Sequence, residues 1–202
     1  MFLSIFWKNK ISVSFFICFL FLLFVLTPNN SLALKRRHRA VVNIEILKKG
    51  ALLVRLKTAV LKINGLKNLG RNKEAEEMRL MQEHENAAIV DAFRKNFNFC
   101  LVFFFYSNNS EEIKTGNYKG LLFDINFKVD TSFNSSNYLI GELDKSESLT
   151  IQSFLIKDKN YKQLGKPFPF LTRRYNSLVI TRTEDQIVSL LNKRLHNFYE
   201  TR

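Results

Sequence analysis

The stretch "FCLVFFFY", residues 99–106, carries no charged side chain at any position. In an extended segment successive side chains point to opposite faces, so a run that is apolar throughout needs cover on both sides. Sheets with one wet face alternate apolar and polar residues. Two-sided burial belongs to the interior of an α/β sheet. This segment therefore predicts an α/β domain, and the polar "SNNSEE" behind it marks where the strand stops.

The flanking segments fit that frame. After Gly50, "ALLVRLK" repeats Leu52, Val54 and Leu56 at period two and reads as a strand. Leu56, Ala59, Val60, Ile63 and Leu66 also recur at helical spacing, so the two readings overlap there. From Thr58 the helical pattern takes over and runs to Leu69, with Gly70 as a left-handed C-cap. Asn72 is the expected cap of a longer helix over "KEAEEMRLMQEHENAAIVDAFRKNF". Acids at its start and Arg94 and Lys95 near its end suit the helix dipole. Its expected apolar stripe is Ala75, Met78, Met81, Ala88, Ile89, Ala92 and Phe93. The short "GRN" link makes the two helices an antiparallel hairpin.

Downstream, a short helix is expected over Ser110–Thr115, ended by Gly116, then a strand "GLLFDINF" at 120–127 and a polar loop "DTSFNSSN". "YLIGEL" reads as a strand, "TIQSFLIKD" and "YKQL" as a hairpin about Lys159-Asn160, and "SLVIT" at 177–181 as a last strand. Thr183 and Gln186 have capping-box spacing and open a helix that buries Ile187, Leu190, Leu191, Leu195 and Phe198. The expected fold is one α/β domain over 49–202: a mixed five- to six-stranded sheet, an N-terminal helical hairpin and a C-terminal helix. The order of strand, hairpin and terminal helix resembles the second half of a thioredoxin-like fold, without redox cysteines.

The N-terminus reads as an address. Lys8 and Lys10 precede Ile11–Leu26, sixteen residues without a charge or proline. Thr27, Pro28, Asn29 and Asn30 break the run, and Ser31-Leu32-Ala33 places small residues before a cut after Ala33. That order predicts a signal peptide over 1–33. Lys35, Arg36, Arg37 and Arg39 oppose it, because cations are held on the cytoplasmic side of an apolar segment. The alternatives are an uncleaved anchor with the body inside, or one with the body outside. Residues 34–48 read as a poorly ordered basic arm.

The chain has 31 Lys and Arg against 18 Asp and Glu, a net charge of +13. Such an excess favours anionic partners, although an AT-rich codon supply produces the same Lys, Asn, Ile and Phe bias. Cys18 reads as apolar filler in the leader, and Cys100 as a buried, inert thiol, which leaves no disulfide, CxxC or zinc pattern.

Chemistry is harder to find. His84, in "QEHEN", is flanked by acids, but the positions three and four away hold Leu80, Met81, Ala87 and Ala88, so no metal pair forms on one helix face. His38 lies in the basic arm, and His196 falls in the last turn of the terminal helix. No G-x-S-x-G or phosphate loop occurs; Asp124 and Asp130 read as turn residues, Glu111 and Glu112 as helix N-terminal acids. No cofactor or metal site is expected.

One surface candidate is "KDKNYKQLGKPFPFLTRRY", 157–175. Lys157, Lys159, Lys162, Lys166, Arg173 and Arg174 alternate there with Tyr161, Phe168, Phe170 and Tyr175, and such interleaving can clamp anions and stack rings. The chosen partner surface is Lys159, Tyr161, Lys162, Lys166, Phe168, Arg173 and Arg174. The plainer reading is a lysine-studded sheet edge whose phenylalanines face the core.

"ALLVRLKT", "AFRKNFNFCLVFFFYS" and "KDKNYKQLGKPFPF" together resemble a group of uncharacterised exported bacterial envelope proteins over about residues 45–200. The resemblance implies export and a single domain, and no activity. The expected function is thus a non-enzymatic, exported periplasmic or envelope protein with a basic interaction surface. Its expected partners are another envelope protein or an anionic polymer. Nucleic acid fits poorly, and membrane contact requires an uncleaved leader. Alternatives are an enzyme with a loop-assembled site and a membrane-anchored binder of anionic surfaces.

Overall fold

The computed structural model describes residues 30–146, 149–175 and 181–202. The leader reading over 1–29 and most of the expected 177–181 strand lie outside them.

Strand β1 (Ala51–Leu56) occupies the centre of a seven-stranded mixed sheet, in the order β4-β3-β2-β1-β5-β6-β7. It pairs in parallel with β2 (Leu101–Tyr106) on one side and with β5 (Tyr138–Ser146) on the other. β5 turns back antiparallel onto β6 (Leu149–Lys157), which carries the short β7 (Leu171–Arg173) at the edge. The expected α/β class holds. The most deeply covered strand is β1, with five of its six residues buried, whereas Leu101 at the start of β2 is exposed.

Side-chain alternation sorts the sheet into two faces. Leu52, Val54, Phe104, Leu139 and Phe154 point into one core beneath α1 (Asn30–Lys49), α3 (Asn72–Asn96) and α5 (Glu184–Glu200). Leu53, Phe105 and Ile140 point the other way, under α4 (Ser110–Lys114) and the 117–137 loops, against Ile113 and Leu122. Three long helices cover one face, and a short helix with loops covers the other. The sheet therefore needs apolar residues on both.

The helical hairpin forms as expected. α2 (Val60–Asn68) ends with Gly70 at φ +73, and Arg71 N–H donates to Leu66 O while Gly70 N–H donates to Lys67 O, a Schellman closure. The expected cap is one residue off: Arg71 holds the N-cap position of α3 with no side-chain cap, and its guanidinium pairs with Glu74 instead. Of the expected stripe, Ala75, Ile89, Ala92 and Phe93 are buried, whereas Met81 is exposed. At the other end, Thr183 and Gln186 form the expected capping box, and α5 buries Ile187, Leu191 and Leu195. Val188 is buried too, while Leu190 and Phe198 are half-buried.

Three expectations are corrected. Residues 34–48 are a helix, not an arm: Ala40, Ile44 and Leu47 are buried at helical spacing, and Lys48 Nζ donates to Phe99 O at 2.8 Å. Segment 120–127 is a tight hairpin rather than one strand. Asp124 Oδ1 accepts from the N–H groups of Asn126 and Lys128, and the chain reverses between β3 (Leu122–Phe123) and β4 (Val129–Asp130). These two-residue strands and β7 bring the count above five or six. The expected turn about Lys159-Asn160 does form, with Asp158 N–H donating to Lys162 O at 2.9 Å and an antiparallel bridge between Lys157 and Gln163, while the long pairings of β6 are with β5 and β7.

Candidate functional site

Two basic segments that lie far apart in the sequence meet beside the sheet edge. The exposed Arg36 and Arg39 of α1 and Lys162 and Lys166 of the β6–β7 connection line a concavity of about 680 Å³. Lys166 also lines a second concavity of about 610 Å³ with Arg173, Arg182 and Arg194. The shared lysine makes one continuous basic face.

Each cation is placed by ordinary folding. On β7 Thr172 is buried, so alternation turns Arg173 outward. On α5 Leu191 and Leu195 are buried, and Arg194 beside them reaches the helix flank, where its Nη1 donates to Leu171 O at 2.9 Å. Arg182 Nη1 donates to Arg173 O at 3.0 Å and to Tyr175 O at 3.3 Å.

The electrostatics point to an anion. Burial, then the neighbouring Arg182 and Arg173 guanidiniums, lower the proton affinity of Arg194. Among the described residues no carboxylate pairs with Lys166, Arg173 or Arg194; the nearby Glu184 is taken by Arg174 at 2.7 Å. Asp158, the acid on the first concavity, spends its Oδ1 on the N–H groups of Asn160 and Lys162 at 2.9 Å each, as a turn residue does. Tyr175 and Phe170 add ring surface beside the arginines.

The structure divides the sequence-predicted surface. Lys162, Lys166 and Arg173 stand on the basic face, and Lys159 is exposed at the neighbouring turn. Arg174 is neutralised by Glu184. Phe168 is 2% exposed and belongs to the core, so it is removed from any surface. Tyr161 is half-buried against the loop face, and its hydroxyl donates to Ser110 O at 2.9 Å. Arg36, Arg39, Arg182 and Arg194 were not assigned to that surface, because no local pattern links them; tertiary folding alone brings them in.

A second charged group escaped the sequence altogether. Glu142 on β5 is 1% exposed and receives Arg55 Nη1 at 2.9 Å and the ammonium of Lys157. Arg55 Nε also donates to Ser110 Oγ at 2.8 Å, and its guanidinium lies 5.7 Å from the centre of the Tyr161 ring. The signal was present as charges at inward positions of "ALLVRLK" and "YLIGEL". The group is internally satisfied, which suits a structural role.

Other candidates resolve simply. His84 is exposed on α3, and His196 shares a 3.0 Å hydrogen bond with Asn98 Oδ1 and sits edge-on to Phe99. Cys100 is partly buried over the whole residue, yet burial pushes its thiol up to about 12. Asp124 and Asp130 hold turns, the latter accepting from the N–H groups of Ser132 and Phe133. Among the described residues, no three His, Cys, Asp or Glu side chains gather as a metal site, and no helix is long and apolar enough to cross a membrane. No protein-family model, curated protein or solved structure matches the chain.

Proposed function

We propose that this chain is a non-enzymatic exported binding protein whose basic face engages an anionic polymer. The leader pattern over 1–33 supports export, and among the described side chains of α1, Leu32 to Arg39 are exposed and Ala40 is buried, so the chain that would follow a cut after Ala33 keeps its core contacts. The observation that carries the binding reading is that Lys166, Arg173 and Arg194 share one concavity and, among the described residues, none of the three pairs with a carboxylate. Like charges held together repel one another, and an anion lodged between these three relieves that repulsion. Arginine presents a planar fork that matches phosphate, sulfate or carboxylate oxygens, and Lys166 extends the same field toward Arg36 and Arg39. Repeated anionic groups along a polymer fit two adjoining basic concavities better than a single small anion does.

The test is binding of fluorescein-labelled heparin oligosaccharide and of polyphosphate to the full chain, followed by anisotropy across a salt series. The triple substitution Lys166→Ser, Arg173→Ser, Arg194→Ser should weaken binding at least about tenfold, or about 1.4 kcal/mol, and flatten the salt dependence. Neutralising the exposed Lys95 and Lys119, which lie outside both concavities, should change little. Equal losses in the two variants would reduce the effect to net charge and overturn the reading.

A further inference from the structure

The sheet has a second site-forming feature, independent of the basic face. After β1 the chain climbs to the helical face through α2 and α3 and returns as β2. After β2 it crosses to the loop face through α4, adds β3 and β4 at the edge beside β2, and comes back as β5 on the other side of β1. The connections leaving neighbouring parallel strands thus diverge, and a crevice opens between them beyond the carboxyl ends of β1 and β2. In open α/β sheets this divergence is where ligands bind.

The crevice exists and has a volume of about 440 Å³, within the range of small-molecule sites. Its floor is fixed where the strands end: Thr58 N–H donates to Ser107 Oγ at 3.0 Å, and the two hydroxyls stand 2.8 Å apart. Asn86 lines it from α3 and is only 7% exposed. Its Nδ2 donates to Lys57 O at 3.0 Å, while its Oδ1 receives only a long 3.4 Å contact from Gln82. That carbonyl retains acceptor capacity for a better donor. Tyr106 and the half-exposed Val60 supply apolar wall, and Phe127 closes one side from a left-handed backbone at φ +59, a conformation costly for a bulky residue.

The charges at the mouth cancel locally. Lys57 pairs with Asp144 at 3.2 Å, and Arg79 pairs with Glu76 at 2.6 Å and with Glu83. A charged ligand would find no uncommitted counter-ion there. We infer that this crevice binds a small uncharged molecule with a flat apolar body and a hydrogen-bonding edge, the body between Tyr106 and Phe127 and the edge on Asn86.

A charge series of one shape tests this. Benzamide, benzoate and benzamidine are titrated into the full chain while its amide NMR spectrum is followed. Benzamide should give saturable shifts at Thr58, Ala59, Asn86 and Tyr106. Both charged analogues should bind there at least about tenfold more weakly, because each would be desolvated without a partner. Val60→Trp should fill the crevice and abolish the shifts. Phe127→Gly, which relieves the left-handed backbone and so favours folding, should remove the wall and weaken them. Arg173→Ser should leave them unchanged. Absence of saturable shifts with benzamide, equal binding of either charged analogue, or full binding by both crevice variants would overturn the inference.

Discussion

Arg55 and Glu142 stand opposite each other in register on β1 and β5 and close a 2.9 Å ion pair across the parallel ladder. The carboxylate is almost completely buried, and Lys157 approaches it from β6. Removing the one acid strands two cations, whereas replacing the whole group with apolar side chains leaves no charge to solvate. Glu142→Leu alone should therefore destabilise the fold by about 3–5 kcal/mol. The triple replacement Arg55→Met, Glu142→Leu, Lys157→Met should recover most of that loss in urea denaturation. A triple variant as unstable as the single one would show that the charges, rather than their mutual satisfaction, hold β1 to β5.

The elements with a local cause were legible in the sequence. Gly70 and the Thr183–Gln186 box act within four residues, so the end of α2 and the start of α5 fall where expected. The helix over 30–49 was not, because its cations run through Arg39 and its buried triplet Ala40, Ile44 and Leu47 begins only afterwards. Segment 120–127 misled for the opposite reason: its apolar residues suit a strand, but the Asp124 carboxylate captures two backbone N–H groups and forces a turn. The basic face was half legible. Residues 157–175 carried Lys162, Lys166 and Arg173, whereas Arg194 reaches them through the docking of α5 against β7, and Arg182 through its backbone bond to Arg174 O and its side-chain bond to Arg173 O.

That docking sets a second prediction. Leu191 is fully buried in the helical-face core, so Leu191→Ala should cost about 2–5 kcal/mol. Thr183→Ala removes the cap that accepts from Gln186 N–H and should cost about 0.5–2 kcal/mol. Thermal melts of the two variants check both. Unchanged curves would mean that α5 adds nothing to the core.

Cys100 makes alkaline pH informative. Burial raises its thiol from 9.0 to about 12 in the folded chain, so the folded-state value lies above the unfolded one. The contribution of the neutral thiol is then complete below the unfolded value and is lost as pH climbs toward about 12. Burial raises the Tyr138 phenol as well, and it adds to the loss in the same direction. Stability measured by urea should decline above about pH 9, and Cys100→Ala should make the decline shallower. In the native state near pH 8 a polar thiol reagent should label Cys100 slowly, and rapid labelling would contradict the burial.

The first helix separates a structural half from a surface half. Ile44 is fully buried against the core, so Ile44→Ala should cost about 2–5 kcal/mol. Lys35, Arg36, Arg37 and Arg39 are all exposed and precede Ala40, the first buried position among the described residues. Replacing these four with Ser should leave the melting temperature within a few degrees, since surface changes are usually worth less than about 0.5 kcal/mol. The same variant also tests the leader reading. With a reporter fused after Arg202, an exported chain gives signal outside the membrane in the wild type, and faster export once the four cations no longer oppose translocation. An inside-facing anchor would show that signal only in the variant, because Lys8 and Lys10 would become the dominant cationic flank. On the leader reading the expected result is wild-type signal outside, because residues 1–33 have the basic, apolar, breaker and small-x-small order of a cleaved signal.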